Sequence, residues 1–150
     1  MPYDPSQPRD ECGRWCNTPG RPYVGKKSVA EMRRMTDANG YISAGYDKGS
    51  HHCVPLVKAI IPELGNTGEW QKGPDINGPD DPNLRPGTAI GKGFDDQGNY
   101  PNKMTGNHVA IYLGPATEAG KINVYDQWKG QRAHQHAVDP KGWSIVTRKN

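Results

Sequence analysis

Three polar residues, Cys53, His108 and Asp126, have the types and the chain order suited to nucleophilic acyl transfer. A cysteine thiolate attacks a carbonyl carbon, an imidazole moves the proton, and a carboxylate orients the imidazole. Cys53 begins an apolar helical segment, where the helix N-terminus stabilises a thiolate and lowers its pKa. The same backbone N–H groups can bind the negative oxygen that develops during acyl transfer. These residues therefore predict a hydrolytic cysteine centre in which Asp126 orients His108.

The segment that carries Cys53 has the pattern of a short helix. Pro55 lacks an N–H and is tolerated only in a first turn, so we expect the helix to begin at Cys53 or Val54. Pro62 ends or kinks it. One face of this helix is apolar and is formed by Val54, Val57, Ile61 and Leu64, with Ile60 beside it.

A shorter helix is predicted upstream of this segment. Ser28 and Glu31 have the spacing of a capping box, and Asn39 with Gly40 forms a stop signal. The apolar positions of this helix are Val29, Met32 and Met35.

The chain after residue 87 has the pattern of strands. The candidate strands are GTAIGKGF, running to Phe94, then NHVAIYLG, KINVYDQW and WSIVTR. The stretch before them, from residue 65, is rich in turn residues and is predicted to be a long loop. The HQH run at 134–136 fits either a loop or a strand. Helices followed by an antiparallel sheet predict an α+β fold.

His108 and Asp126 lie at positions that antiparallel pairing brings side by side. His108 opens the first of two neighbouring strands, and Asp126 lies near the end of the second. Gln127 is the alternative orienting residue, because a one-residue change of register exchanges the two faces.

Three segments together resemble the NlpC and CHAP branches of the papain-like superfamily. They are the cysteine at a helix start, GNHVAIYLG and INVYDQW, and Thr88 stands where that branch usually has an acidic residue. Residues 46–138 more narrowly resemble small bacterial amidases, some of which are delivered by type VI secretion. The resemblance implies a single papain-like domain, which we assign to residues 1–150. Residues 1–22 contain several prolines and no periodicity, which predicts an irregular N-terminal arm.

The same resemblance implies a function and a partner. We expect a cysteine amidase or endopeptidase, without a cofactor, that cuts peptidoglycan stem peptides or cross-links as an antibacterial effector. A cognate immunity protein that plugs the cleft is the expected partner. A phage-type CHAP endolysin is an alternative, because lysins use related folds.

A non-enzymatic, metal-stabilised binding module is a second class of hypothesis. Histidines at 51, 52, 108, 134 and 136 could supply ligands together with Cys53. The spacings typical of zinc sites are absent from the sequence, so no metal is predicted.

Further residues were considered for binding and for redox chemistry. Tyr46, His52 and Trp128 are candidates for substrate binding. Cys12 and Cys16 form either a short-loop disulfide or two free thiols.

Composition limits the function classes. A formal charge of +3 over 150 residues favours weak attraction to anionic polymers but lacks the basic density of a nucleic-acid-binding protein. No apolar run is long enough for membrane insertion. The N-terminus lacks the pattern of a secretory signal, so we expect export by a specialised system and action in the periplasm of target bacteria.

Overall fold

A computed structural model describes residues 21–43, 51–103, 105–149 of the chain. The two α-helices are α1 (Val29–Arg34) and α2 (Cys53–Ile60), and short 3₁₀ turns follow at Pro62–Leu64 and Thr67–Glu69. The strands are β1 (Trp70–Asp75), β2 (Ala89–Lys92), β3 (His108–Pro115), β4 (Ile122–Trp128), β5 (Gln131–Val138) and β6 (Ser144–Arg148). The predicted order of helices followed by an antiparallel sheet is confirmed at this level. The NlpC/CHAP subtype and the extent of the domain remain predictions.

The capping box and the proline positions predicted from the sequence are present in the structure. The Glu31 N–H donates to Ser28 Oγ at 3.1 Å, and the Ser28 N–H donates to Glu31 Oε1 at 2.9 Å, which completes the capping box of α1. In α2, Cys53 is the first helical residue and Pro55 lies in the first turn. The helix ends before Pro62, where a 3₁₀ turn continues the chain.

The six strands form one sheet in the order β1-β6-β2-β3-β4-β5, and every neighbouring pair is antiparallel. The pairing of β3 with β4 matches the arrangement expected for His108 and Asp126. Each of these two strands also carries an irregularity, between Tyr112 and Gly114 in β3 and between Asp126 and Trp128 in β4.

The central strands are buried on both faces. On one face, α2 packs Leu56 and Val57 against Val109 and Ile111 of β3. The opposite face is covered by a second apolar cluster, which includes Ile76, Leu84, Ala110, Tyr112, Val124 and Trp143. Burial on both faces makes β3 and β4 a rigid support for the polar residues at their ends.

Part of the predicted loop after residue 65 is a strand, so that prediction is wrong. The sequence of β1, WQKGPD, contains Gly73 and Pro74, which are unusual in a central strand. The strand lies at the sheet edge and pairs only with β6 among the named strands. A Cβ on Gly73 would lie 2.6 Å from the Ile145 carbonyl oxygen, so close backbone approach accounts for the glycine.

Two further strand boundaries differ from expectation. The strand predicted to run to Phe94 ends at Lys92, because Gly93 takes a φ of +83° that strand residues do not adopt. The HQH run, which fitted a loop or a strand, lies within the edge strand β5.

Candidate active site

Cys53 lies at the N-terminus of α2 and is half-buried. His52 occupies the N-cap position, and no side chain among the described residues caps the first turn. The helix N-terminus therefore contributes a partial positive charge beside the thiol without a competing side-chain acceptor.

His108 and Asp126 form a short hydrogen bond at the end of β3 and β4. The distance from His108 Nε2 to Asp126 Oδ2 is 2.6 Å. The Asp126 side chain is only 1% exposed and that of His108 is 17% exposed. A carboxylate buried to this degree requires charged or polar partners, so its position beside the imidazole is strongly favoured.

The Cys53 thiol is held by groups from the sheet and from the loop before β3. The His108 side chain and the backbone N–H of Val109 both lower the pKa of this thiol. Its Sγ also lies 3.9 Å from the Tyr100 hydroxyl oxygen. Asn107 Nδ2 donates to that hydroxyl at 3.1 Å, which leaves the phenolic proton available to the sulfur.

These contacts shift the pKa values of the thiol and imidazole in opposite directions. Burial would raise the pKa of Cys53, but the hydrogen bond and charge of His108, with the Val109 and Tyr100 contacts, lower it below its ordinary value. Burial would lower the pKa of His108, but the bonds to Asp126 and Cys53 raise it to about 9. Between the two pKa values the site therefore holds a thiolate and an imidazolium, the pair required for nucleophilic attack and protonation of a leaving group.

The second oxygen of Asp126 is bound by an imidazole from β5. His136 Nε2 lies 2.7 Å from Asp126 Oδ1, and His134 Nδ1 lies 3.9 Å from the same oxygen. A hydrogen-bonded chain therefore runs from His108 through Asp126 to His136.

Gln127, the alternative orienting residue, binds elsewhere. Its Oε1 accepts from the Ile42 N–H at 2.8 Å, and its Nε2 donates to the carbonyls of Ile42 and His52 at 2.7 and 2.8 Å. Asp126 is thus the residue brought to His108, whereas Gln127 ties the backbone before Cys53 to β4.

The three substrate-binding candidates have different locations. Trp128 is 42% exposed, and its ring lies 5.8 Å from the His108 ring. His52 is the exposed N-cap residue of α2 and lies directly beside Cys53 in the chain. Tyr46, like Cys12 and Cys16, lies outside the described residues.

The sequence did not predict the contacts that three further residues make in this site. Tyr100 and Asn107 belong to the connection between β2 and β3, whose path no periodic pattern predicts. His136 could have been found from the alternation in HQH, which places His134 and His136 on one face of a strand. The identity of that face depends on pairing with β4, in which Asp126 lies opposite His134.

An α+β fold here brings together a thiol, an imidazole and a carboxylate, the three groups that nucleophilic acyl transfer uses. The family model described as domesticated amidase effector 2 matches residues 23–148, and the chain belongs to this family. The resemblance to type VI secretion amidase effectors is thereby confirmed.

Two similar proteins carry related descriptions. The type VI secretion amidase effector 2 protein of Salmonella typhi is 42% identical over 82 residues, which cover 54% of this chain. The aligned part spans 56% of that relative, about half its length. A solved structure described as type 6 secretion amidase effector 2 is 26% identical with a TM-score of 0.56, and the match covers 77% of this chain and 95% of that one.

Across the described part of the chain, no helix is long and apolar enough to cross a membrane.

Proposed function

We propose that this protein is a cysteine amidase that hydrolyses amide bonds in bacterial peptidoglycan as a type VI secretion effector. The observation that carries the proposal is the position of Cys53 at a helix N-terminus, where the hydrogen-bonded pair of His108 and Asp126 lowers its pKa through His108. The family and the descriptions of its relatives support the amidase reaction and the effector role.

The reaction begins with attack of the Cys53 thiolate on an amide carbonyl carbon. The carbonyl π electrons move to oxygen, and the first N–H groups of α2 stabilise the resulting negative charge. His108 then gives its proton to the leaving amine as the C–N bond breaks, which leaves a thioester on Cys53. His108 next accepts a proton from water, the hydroxide attacks the thioester, and the thiolate is regenerated with release of a carboxylic acid.

Asp126 fixes the imidazole throughout this cycle. Its Oδ2 accepts from His108 Nε2, which leaves the other ring nitrogen for the proton transfers of the reaction. The charge of Asp126 stabilises the imidazolium, which is present in the resting site and forms again when His108 accepts a proton from water. His136 holds the carboxylate through Oδ1 and limits its rotation.

The substrate, location and partner follow from the effector assignment. The protein would reach the periplasm of a target bacterium through type VI secretion and cleave stem peptides or cross-links there. A cognate immunity protein in the producing cell would protect that cell by covering the groove over Cys53. Trp128 and His52 lie near Cys53 or His108 and are the residues among those described that we propose for substrate contact.

Digestion of purified peptidoglycan tests the proposed function. Each cleaved amide adds the mass of one water to the products, so mass spectrometry of the released fragments both detects activity and identifies the bond. The wild-type protein should cleave, and Cys53→Ala should lower the rate by about 10⁴-fold or more, because the nucleophile is lost. Cys12→Ala/Cys16→Ala is the matched control, since it removes two thiols but retains Cys53. Equal cleavage by wild type and Cys53→Ala would exclude this mechanism.

A further inference from the structure

Strand β5 places two imidazoles beside the carboxylate that binds His108. His134 is the cross-strand partner of Asp126, and His136 lies on the same face two residues later. The two imidazole rings stack with centroids 4.3 Å apart and planes within 7° of each other. One ligand atom each from Asp126, His134 and His136 lies within 4.8 Å of the other two.

We propose that Asp126, His134 and His136 form an inhibitory zinc-binding site. Two imidazole nitrogens and one carboxylate oxygen form a ligand set that Zn²⁺ accepts, with the fourth position left to water. His134 and His136 are 32% and 28% exposed, so an ion from solvent can reach their rings.

Two of the three ligand separations lie close to those of a tetrahedral ion, and the stacked rings of His134 and His136 must rotate before both nitrogens point at one ion. With zinc–ligand bonds of about 2.1 Å, neighbouring ligand atoms lie about 3.4 Å apart. Asp126 Oδ1 now lies 2.7 Å from His136 Nε2 and 3.9 Å from His134 Nδ1. Each of these separations therefore changes by less than about 1 Å on binding.

His134 supplies an independent reason to expect a ligand. Its Nδ1 is one of two buried side-chain nitrogen or oxygen atoms without a hydrogen-bond partner among the described residues. A buried polar atom without a partner costs free energy, and a metal ion bound at Nδ1 would remove that cost. The atom faces Asp126 Oδ1 from a distance too long for a hydrogen bond.

Zinc binding would oppose the role of Asp126 toward His108. The ion replaces the hydrogen bond from His136 Nε2, and the proton of that nitrogen moves to Nδ1 or to solvent. Zinc bound at Oδ1 draws negative charge away from Oδ2, which accepts the bond from His108. The carboxylate then holds the imidazole less firmly in the orientation needed for proton transfer. This inhibitory consequence rests on the proposed function, whereas zinc binding itself does not.

Calorimetric titration with ZnCl₂ tests the site without any activity measurement. The Cys12→Ala/Cys16→Ala/Cys53→Ala protein removes every thiol that could bind zinc elsewhere. We expect one ion per chain, and an affinity at least about tenfold lower when His134→Ala or His136→Ala is added. His134→Gln keeps more of the side-chain volume should His134→Ala fail to fold, and circular dichroism checks both. His51→Ala is the matched control, because it removes a histidine outside the cluster.

Unchanged zinc affinity in the His134 and His136 variants, or no zinc binding at all, would refute the proposed zinc site.

Inhibition by zinc is then measured on peptidoglycan with the Cys12→Ala/Cys16→Ala protein. Half-maximal inhibition should fall near the calorimetric Kd, and adding His134→Ala should relieve it while adding His51→Ala should not. Equal inhibition with and without His134 would show that zinc inhibits at Cys53 and His108 instead. It would refute the inhibitory role of the site formed by Asp126, His134 and His136. A protein that binds zinc at the cluster but never cleaves peptidoglycan would refute the proposed function and leave the metal site standing.

Discussion

Replacing Asp126 with asparagine should separate the charge of the carboxylate from its shape. Asp126 is nearly inaccessible to solvent, and its Oδ2 lies 2.6 Å from His108 Nε2. Asparagine preserves the size of the side chain but removes the negative charge. The structure thus predicts loss of imidazolium stabilisation in a site whose backbone is held by β3 and β4.

The pKa of His108 gives the size of the imidazolium stabilisation that the substitution reduces. The bonds to Asp126 and Cys53 outweigh burial and raise this pKa from 6.5 to about 9. That difference corresponds to about 3 kcal/mol of preference for the imidazolium form. Asp126→Asn removes the carboxylate charge but leaves the Cys53 thiolate beside the ring, so we expect the pKa of His108 to fall well below 9. The rate of peptidoglycan cleavage at neutral pH should fall by about 10²- to 10⁴-fold.

Histidine ring signals in nuclear magnetic resonance report this change directly. The protein has five histidines, and His108→Asn identifies the signal of His108 by its loss. Titration of wild type and Asp126→Asn from pH 5 to 10 should show the His108 transition at about 9 in the first protein and at a clearly lower pH in the second.

Asp96→Asn is the matched control, because it removes an exposed carboxylate outside the site. It should leave both the His108 transition and the cleavage rate unchanged. A His108 pKa that stays near 9 in Asp126→Asn would refute the assignment of Asp126 as the orienting and charge-stabilising partner.

Three further outcomes are expected. A plot of the wild-type cleavage rate against pH should be bell-shaped. The rate falls at low pH as the Cys53 thiolate gains a proton, and it falls at high pH as His108 loses its proton near pH 9. A rate that still rises above pH 10 would contradict the paired roles of Cys53 and His108. Tyr100→Phe removes a hydroxyl 3.9 Å from Cys53 Sγ. Peptidoglycan cleavage and the alkylation of Cys53 by iodoacetamide at pH 7 should therefore both slow by about two- to tenfold. Unchanged rates would show that the hydroxyl does not act on the thiolate. Gln127→Ala leaves backbone groups of Ile42 and His52 without their side-chain partner. The free energy of unfolding measured with denaturant should therefore fall by about 2 kcal/mol. Gln97→Ala, at an exposed position, is the control and should leave it unchanged.

The sequence was sufficient to predict the parts of the fold that depend on local signals. Pro55 and the apolar face of α2 located Cys53 at a helix start. The alternating residues of β3 and β4 predicted two paired strands, and this pairing places His108 near Asp126. These signals are strong because they are local. Proline restricts the backbone within one helical turn, and side-chain alternation is read within a single strand.

The remaining features depend on contacts between distant segments. Strand β1 escaped prediction because Gly73 and Pro74 are poor strand residues, and only its pairing with β6 makes them part of the sheet. The choice between Asp126 and Gln127 depended on the register of β4, which the sequence left open. The approach of His136 to Asp126 likewise depends on the register of β5 with β4.

Selective alkylation tests most directly whether the Cys53 thiolate performs the reaction. In the Cys12→Ala/Cys16→Ala protein, iodoacetamide can modify one thiol, and intact mass gives the modified fraction. The rate of peptidoglycan cleavage should fall in proportion to that fraction and reach zero when Cys53 is fully modified. Substantial cleavage by fully modified protein would contradict a catalytic role of Cys53.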